Sequence, residues 1–446
     1  MRISINKIIL TIILGIATVV PIVAFSPHFA STEFEKMNAL ETQVLWGIDA
    51  DNIYNNIKVL SKTPRVAGTA QENKAVAYIK KQFESYGYES EVQSFHFNSY
   101  TPPQTLTLSI KGYSQRLQPI AFEYSVNGDI SGEIVAAGLG KMEDINKLDL
   151  KGKIALIQRG EITFADKISN ATAKGAIGVI IYNQESDTIN ASLGDTTKTS
   201  VPAVFLTKEE GDDLISHLKK NPGSIGQLNI KGASFNQNTS HNVIAIKKPV
   251  KLNNSTNNII VIGAHHDSVA GAPGANDDAS GTAMTLELAR VLRNISSDTE
   301  IRFVTFGAEE LGLLGSSHYV ESLSEDEKNR IVANFNLDMV GSKNAGNLIL
   351  QTIDGKPNLV TDLSQEASEK LNGEPTPFNQ GERSDHVSFA EAGIPAALFI
   401  HHPTEEWYHT PQDTIDKISK SKLQDVAEIV GLAILNQIVS ENQSSK

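Results

Sequence analysis

The stretch IIVIGAHHDSVAGAPGANDDASG at residues 259–281 decides the fold. It opens with an unbroken apolar run, continues through a polar and glycine-rich loop, and leads into a pattern that predicts a helix from about Ser280 to Asn294. An apolar run without alternation is typical of a strand buried on both faces of a parallel sheet. Further strands are predicted at 301–306, 332–337, 348–352 and 396–400, and further helices at 316–322 and 420–438. This alternation predicts an α/β fold with a mostly parallel mixed sheet that helices cover on both faces.

The residues before this stretch divide into two parts. Apolar residues at helical spacing between 49 and 88, followed by alternation from 91 to 120, predict two helices and then strands of the same domain. Residues 124–231 differ, because short apolar runs and an alanine-rich helical segment succeed one another there without a cluster of catalytic residue types. The sequence therefore predicts a smaller α/β domain at 124–231, inserted between two parts of the main domain at 36–123 and 232–441.

Composition limits the classes of function. The chain has 446 residues, 39 of them basic and 52 acidic, and a formal net charge of −13. This length allows two or three domains, and the negative charge argues against nucleic acid as a partner. The chain has no cysteine, which excludes disulfides, iron–sulfur clusters and thiol nucleophiles. Any metal ion must therefore be bound by histidine, aspartate or glutamate.

The N-terminus has the layout of a secretory leader. Arg2 and Lys7 precede an apolar run from Ile8 to Phe25, and small or polar residues follow. We expect a signal peptide at 1–25 that contacts the membrane only transiently, and hence a secreted, extracellular protein. The alternative is an uncleaved anchor, because the run approaches the ~20 residues that span a bilayer. In that case the protein would stay associated with the membrane or the cell wall.

Potential metal ligands follow the predicted strands of the main domain. His265 comes after the first strand, Glu310 after the second and Asp338 after the third. Because ligands bind at the carboxyl ends of strands in open α/β sheets, we expect these side chains to lie close together. With Asp277 from the glycine-rich loop and His409 near the C-terminus, they form a set of two imidazoles and three carboxylates. Such a set suits two divalent cations such as zinc.

The segments that contain these residues resemble a known family. The segments, in chain order, are GAHHDS (263–268), NDDASG (276–281), AEELGLLG (308–315), NLDM (336–339), RSDHVSF (383–389) and YHTP (408–411). Together they resemble the M28 family of di-zinc aminopeptidases, in particular the exported enzymes of Bacillus-type bacteria, which have a zinc-peptidase-like fold. The segment KGKIALIQRG at 151–160 and the residues after it resemble the protease-associated (PA) domain inserted in several exported peptidases.

The resemblance implies a division of the ligands between two zinc ions. It makes Asp277 the carboxylate that bridges both ions. His265 and Asp338 would complete the first zinc site, and Glu310 and His409 the second. The cofactor expected from the resemblance is thus two Zn²⁺ per chain.

The resemblance also implies roles for residues beside the ligands. Glu309 would be the general base that takes a proton from the metal-bridging water. Tyr408 would stabilise the oxyanion, and Asp267 would accept the second N–H of the ligand imidazole. Arg383 matches an arginine near the reaction centre of some relatives. A cis peptide bond is expected at Asp277–Asp278.

The function implied is hydrolysis of N-terminal residues from peptides and proteins that have a free N-terminus. The same scaffold supports a carboxypeptidase or dipeptidase, which would need a basic group for the substrate carboxylate. A non-catalytic binding relative is a further alternative, and such a protein should have lost ligands. Trp407 and Phe389 are candidates for the pocket that receives the substrate side chain. The sequence does not predict the oligomeric state.

Overall fold

A computed structural model of the chain describes residues 38–185, 199–250 and 257–444. The signal peptide predicted at 1–25 lies outside these residues. Within them, the chain forms two separate β-sheets with flanking helices, which confirms the predicted α/β class.

The bounds of the regular elements are as follows. The strands of the described residues are β1 (Glu89–Thr101), β2 (Thr105–Ile110), β3 (Ile120–Ala121), β4 (Gly128–Ala136), β5 (Ile154–Gln158), β6 (Gly178–Tyr182), β7 (Ala203–Leu206), β8 (Ile225–Lys231), β9 (Ser234–Lys247), β10 (Ile259–His265), β11 (Glu300–Phe306), β12 (Ile331–Leu337), β13 (Asn347–Thr352), β14 (Phe378–Gln380) and β15 (Ala396–His402). The α-helices in the same residues are α1 (Ala39–Gly47), α2 (Ala50–Leu60), α3 (Ala70–Ser85), α4 (Met142–Ile145), α5 (Phe164–Ala173), α6 (Lys208–Lys220), α7 (Ala279–Leu292), α8 (Leu314–Ser322), α9 (Glu325–Arg330), α10 (Leu359–Asn372), α11 (His386–Glu391) and α12 (Lys420–Ser444). Short 3₁₀ turns lie at Glu309–Leu311 and Ile415–Lys417.

The large sheet has eight strands in the order β1-β9-β11-β10-β12-β15-β13-β14. Its centre, β11-β10-β12-β15, is parallel, and antiparallel pairs flank it on both sides. Every predicted strand of the main domain from residue 259 onward is present. The parallel centre places the carboxyl ends of β10, β11 and β12 next to one another, so that side chains following these strands share one edge.

Both faces of the large sheet are buried, as the unbroken apolar runs predict. Ile260 and Ile262 of β10 point into a core that contains residues of α1, α2, α3, α7, α10 and α12. Ile259 and Val261 point into a second core with Tyr319 of α8 and residues of α11. The sheet is therefore a packed middle layer, and residues at the ends of its strands are held in fixed positions.

The small sheet has seven strands in the order β2-β8-β4-β5-β6-β7-β3. Its middle strands, β4 to β7, are parallel, and two apolar cores cover its faces. Strands β2 and β3 lie in this sheet and not in the large one, so assigning residues 105–121 to the main domain is wrong. Alternation of apolar residues identifies a strand but not its partner, and β2 pairs with β8, which lies more than a hundred residues later.

Helix α12 is the one element of the described residues that is long and apolar enough to cross a membrane. Most of its apolar stretch is buried, and Leu423, Val426 and Val430 belong to the main core. Its hydrophobicity is therefore that of a core helix.

Candidate metal centre

Three neighbouring strands deliver side chains to one edge of the large sheet. β10 ends in His265, and β12 is followed directly by Asp338. β11 continues through two residues into the 3₁₀ turn that holds Glu309 and Glu310. The prediction that these residues converge is confirmed, and the cause is the parallel pairing of β10 with both neighbours.

Asp277 reaches the same edge from the connection between β10 and α7. Helix α7 begins after Asp278, whose side chain accepts the N–H of Gly281 at 2.8 Å. Asp413 holds the backbone before the helix, because its carboxylate accepts the N–H groups of Asn276 at 2.8 Å and of Asp277 at 3.0 Å. The peptide bond Asp277–Asp278 is cis, which confirms the expectation from the resemblance.

The carboxylate of Asp277 lies between two imidazoles. Its Oδ1 is 3.1 Å from Nε2 of His265, and its Oδ2 is 3.1 Å from Nε2 of His409. Around His265, Oδ1 of Asp338 lies at 3.6 Å and Oε2 of Glu309 at 3.8 Å. Around His409, Oε2 of Glu310 lies at 2.9 Å.

The five predicted ligands thus form two adjacent groups that share Asp277. Glu309 lies within reach of the first group, so its distances alone do not separate a ligand from a base.

The donor atoms fit bound cations. Among the described residues, Oε1 of Glu310 and Oδ1 of Asp338 are buried and have no hydrogen-bond partner. Burial and the charge of Asp277 raise the pKa of Glu310 to about 8, and burial also raises the pKa of Glu309 well above its usual value. Both carboxyl groups are therefore buried beside other carboxylates, where a bound cation would compensate their negative charge. A mixed set of imidazole nitrogens and carboxylate oxygens is a typical ligand set for zinc.

Asp267 supports both groups. Its Oδ1 lies 3.5 Å from Nδ1 of His265, and this nitrogen is buried without a hydrogen-bond partner among the described residues, so Asp267 is the nearby carboxylate that could orient the imidazole. The same carboxylate accepts the backbone N–H of Glu309 at 3.1 Å and of Glu310 at 3.4 Å. This second contact is not predictable from the motif. Asp267 therefore fixes the end of β10 relative to the turn after β11.

Tyr408 and Arg383 differ in their relation to the centre. The ring of Tyr408 stacks on that of His409 at a centroid distance of 3.8 Å, and burial together with the nearby Asp277 carboxylate raises its pKa. The residue is half-exposed. Arg383 is exposed and lies just before Ser384, whose hydroxyl donates to Oδ2 of Asp338 at 2.8 Å.

The two aromatic candidates for a substrate pocket are not equivalent. Phe389 is fully buried, with its ring 6.0 Å from those of Phe306 and Tyr319, so its assignment as a pocket residue is wrong. Trp407 keeps a small exposed edge, and Nζ of Lys417 lies 4.9 Å from its ring centroid. Phe389 follows a polar motif in the sequence, but its helix α11 packs it into the core.

Sequence reasoning also missed several buried polar residues around the centre. Asp413 anchors Asn276 and Asp277, and burial raises its pKa to about 6. Glu405 accepts from the side chain of Asn276 at 2.9 Å. Arg65 is buried, and its guanidinium donates to the backbone carbonyls of His266 and Gly274, which flank the connection between His265 and Asp277. The position of Asp413, four residues after His409, is the one sequence signal that could have identified it.

Comparison with known proteins agrees with this architecture. The model of "Peptidase family M28" matches residues 242–434, and the model of "PA domain" matches residues 130–214. The two matches fall inside the ranges predicted for the main and inserted domains.

Similar proteins cover most of the chain. Aminopeptidase YwaD of Bacillus subtilis (strain 168) is 40% identical over 407 residues, 88% of this chain and 86% of the relative. The solved aminopeptidase from Aneurinibacillus sp. strain AM-1 is 55% identical, with a TM-score of 0.76 over 89% of this chain and 95% of that one. The structure of BSAP, described as a zinc aminopeptidase from Bacillus subtilis, is 39% identical, with a TM-score of 0.65 over 88% and 96%. On this identity and coverage, the chain belongs to peptidase family M28 and carries a PA domain.

Proposed function

We propose that the protein is an exported zinc aminopeptidase that binds two zinc ions and removes N-terminal residues from peptides and proteins. The single observation that carries the proposal is the position of Asp277, with one carboxylate oxygen 3.1 Å from each of two imidazoles. A carboxylate in this position can bind one cation through each oxygen. The relatives described above are named aminopeptidases, and one is described as a zinc enzyme.

In this proposal, the ligands divide between the two ions as the family resemblance implies. His265 and Asp338 would hold one ion, Glu310 and His409 the other, and Asp277 both. Zinc bound there would supply Lewis acidity, because two cations lower the pKa of water and polarise a peptide carbonyl.

Glu309 is the group that moves the proton in this proposal. Its side chain keeps 13% of its surface exposed, more than His265, Asp277 or Asp338, so it borders the open side of the centre. Its backbone is fixed by Asp267. Glu309 would accept a proton from the attacking water and pass it to the leaving amine.

Tyr408 would bind the oxygen of the scissile carbonyl. Its ring stacks on that of His409, the residue is half-exposed, and its hydroxyl can donate a hydrogen bond. A donor aimed at the developing oxyanion stabilises the transition state more than the ground state.

The charge of the centre favours an amine over a carboxylate as the recognised end of the substrate. Arg65 is buried and its guanidinium donates to backbone carbonyls, so it is not available as a basic clamp for a substrate carboxylate. The abundance of carboxylates attracts a protonated amino group instead. A non-catalytic relative is disfavoured because every predicted ligand is present. Export rests on the leader pattern at 1–25, and we propose that the mature protein is extracellular.

Hydrolysis of an aminoacyl anilide with a free amine should be compared with that of its N-acetylated form. We expect turnover of the free amine only, loss of activity with a chelator, and recovery on titration with zinc that saturates near two equivalents. Equal rates on both substrates would overturn the aminopeptidase assignment, and full activity at one equivalent would overturn the two-ion arrangement.

A further inference from the structure

Arg65 is buried behind the metal centre and binds four backbone carbonyls. It lies between α2 and α3 and is 1% exposed. Its Nε donates to the carbonyl of His266 at 2.7 Å, and its Nη2 to that of Gly274 at 2.9 Å. Its Nη1 donates to the carbonyls of Pro273 at 2.6 Å and of Leu60 at 3.2 Å. The planar guanidinium can satisfy such a set of acceptors at fixed angles, whereas an ammonium cannot.

Three of these carbonyls belong to the connection that separates two proposed ligands. His266 directly follows His265, and Gly274 comes three residues before Asp277. Arg65 therefore ties the first residue of the 266–274 segment to its last. The side chain crosses the opening of this segment and fixes the spacing between the end of β10 and the approach to Asp277.

Two further contacts tighten the same segment. The N–H of Arg65 donates to Oγ of Ser268 at 3.0 Å, and this hydroxyl donates to the carbonyl of Ala272 at 3.1 Å. Gly274 has a φ of +63°, and a Cβ there would lie 2.9 Å from Nη2 of Arg65 and 2.3 Å from the carbonyl oxygen of Asp277. Only glycine allows the guanidinium and the chain before Asp277 to approach so closely.

The charge of Arg65 also suits this position. Burial lowers its pKa, while the carboxylates of Asp267, Asp278 and Asp413 oppose that effect. The guanidinium therefore places a positive charge behind an acidic cluster without occupying any of the oxygens that face the imidazoles. It lowers the repulsion among the carboxylates and leaves the ligand atoms free.

We propose that Arg65 is a positioning residue for the metal centre, which holds the 266–274 segment so that His265 and Asp277 are spaced for zinc before the ion binds. This inference rests on the proposed function, because it assumes that these two residues are ligands. A residue in the N-terminal part of the chain, far in sequence from the ligand motifs, would then directly affect the affinity for zinc.

The test is the zinc affinity of the full-length Arg65→Lys variant, measured by competition with a chromophoric chelator. Lysine keeps the charge but cannot bind the four carbonyls together, so we expect affinity to fall by about 10- to 100-fold, as for other groups that support metal ligands. Excess zinc should restore much of the lost turnover. Because zinc that binds the folded state also stabilises it by mass action, the affinity is measured at a temperature where the metal-free variant is fully folded.

Arg302→Lys is the matched control. Arg302 is also a buried arginine, but it lies on β11 and binds Glu300 at 2.6 Å and Glu327 at 2.9 Å, away from the centre. We expect this variant to lose thermal stability while keeping the zinc affinity of the wild type. If Arg302→Lys weakens zinc binding as much as Arg65→Lys, the inference is overturned.

Ser268→Ala provides a second variant that does not disturb a buried charge. It removes the contacts of the hydroxyl with Arg65 and Ala272, and zinc affinity should fall less than in Arg65→Lys. If Arg65→Lys fails to fold, unchanged affinity in Ser268→Ala decides against the inference. Wild-type protein that binds no zinc would overturn the proposed function itself, whereas equal affinity in wild type and folded Arg65→Lys would overturn only the role of Arg65.

Discussion

The two halves of the proposed centre are built differently. The inner half-site, His265 with Asp338, stands on the ends of adjacent strands, and its side chains are 1% and 8% exposed. The outer half-site, Glu310 with His409, comes from a short turn and a loop, and His409 is 37% exposed. His409 also has a φ of 60°, a left-handed conformation that histidine tolerates better than most residues. The strands of the sheet therefore hold the inner half-site in place, whereas a turn and a loop supply the residues of the outer half-site.

The supporting contacts follow the same division. Asp267 faces Nδ1 of His265, and Ser384 donates to Asp338. The described contacts of His409 are with Asp277, Glu310 and the stacked ring of Tyr408. Because fixed ligands lose less entropy on binding, we expect the inner half-site to bind zinc more tightly than the outer one.

Asp277→Asn should have the largest effect, because Asp277 belongs to both half-sites. The amide removes the negative charge and offers only one good acceptor, so both ions should be lost together with nearly all activity. Metal content by mass spectrometry, measured beside anilide turnover, checks this. A variant that keeps two zinc ions would show that the halves do not depend on a shared carboxylate.

His265→Ala and His409→Ala compare the halves directly. Loss of His409 should leave about one zinc per chain in the inner half-site and little change in the stability of the metal-free protein. Loss of His265 leaves buried acceptors without a partner, so the free energy of unfolding of the metal-free protein should fall by about 1–3 kcal/mol. Denaturant titration and metal analysis of both variants decide this. Equal metal loss and equal stability in the two variants would contradict the division into inner and outer halves.

Glu309→Gln separates proton transfer from metal binding. In the proposed roles the glutamate is not a ligand, so the variant should retain both ions while turnover falls by about 10²- to 10⁴-fold. The distances place Glu309 within reach of the inner half-site, and metal analysis therefore tests a real alternative. Loss of the inner ion in Glu309→Gln would make the residue a ligand and leave the base unassigned.

Much of the centre could be predicted because several of its proposed ligands lie at or just after the ends of strands. His265 and Asp338 follow apolar runs that are clear in the sequence, and they can be recognised as candidates without knowing which strands pair. His409 has no such strand to mark it, and the motif resemblance identified it.

The features that the sequence did not predict depend on contacts between residues far apart in the chain, which no local sequence pattern indicates. β2 pairs with β8 in the small sheet, and the alternation at 105–110 cannot indicate which sheet it joins. Arg65 binds backbone carbonyls, which every residue has, so nothing in the sequence of its partners distinguishes them. Helix α10 did have local signals, a capping box at Asn358 and a left-handed Gly373 at its end, which the prediction did not use.

Tyr408→Phe is the mildest test and probes the exposed side of the outer half-site. The substitution keeps the ring that stacks on His409 and removes only the hydroxyl, so both zinc ions should remain bound. Loss of one oxyanion donor typically lowers kcat by about 10²- to 10³-fold, and we expect the low end of that range because Tyr408 is a half-exposed residue. Tyr124 is the matched control: its hydroxyl donates to the carbonyl of Asn98 in β1, and Tyr124→Phe should leave kcat unchanged. If Tyr408→Phe instead releases the outer ion, then the hydroxyl of Tyr408 is needed to hold the outer half-site together, and its role is not limited to the oxyanion.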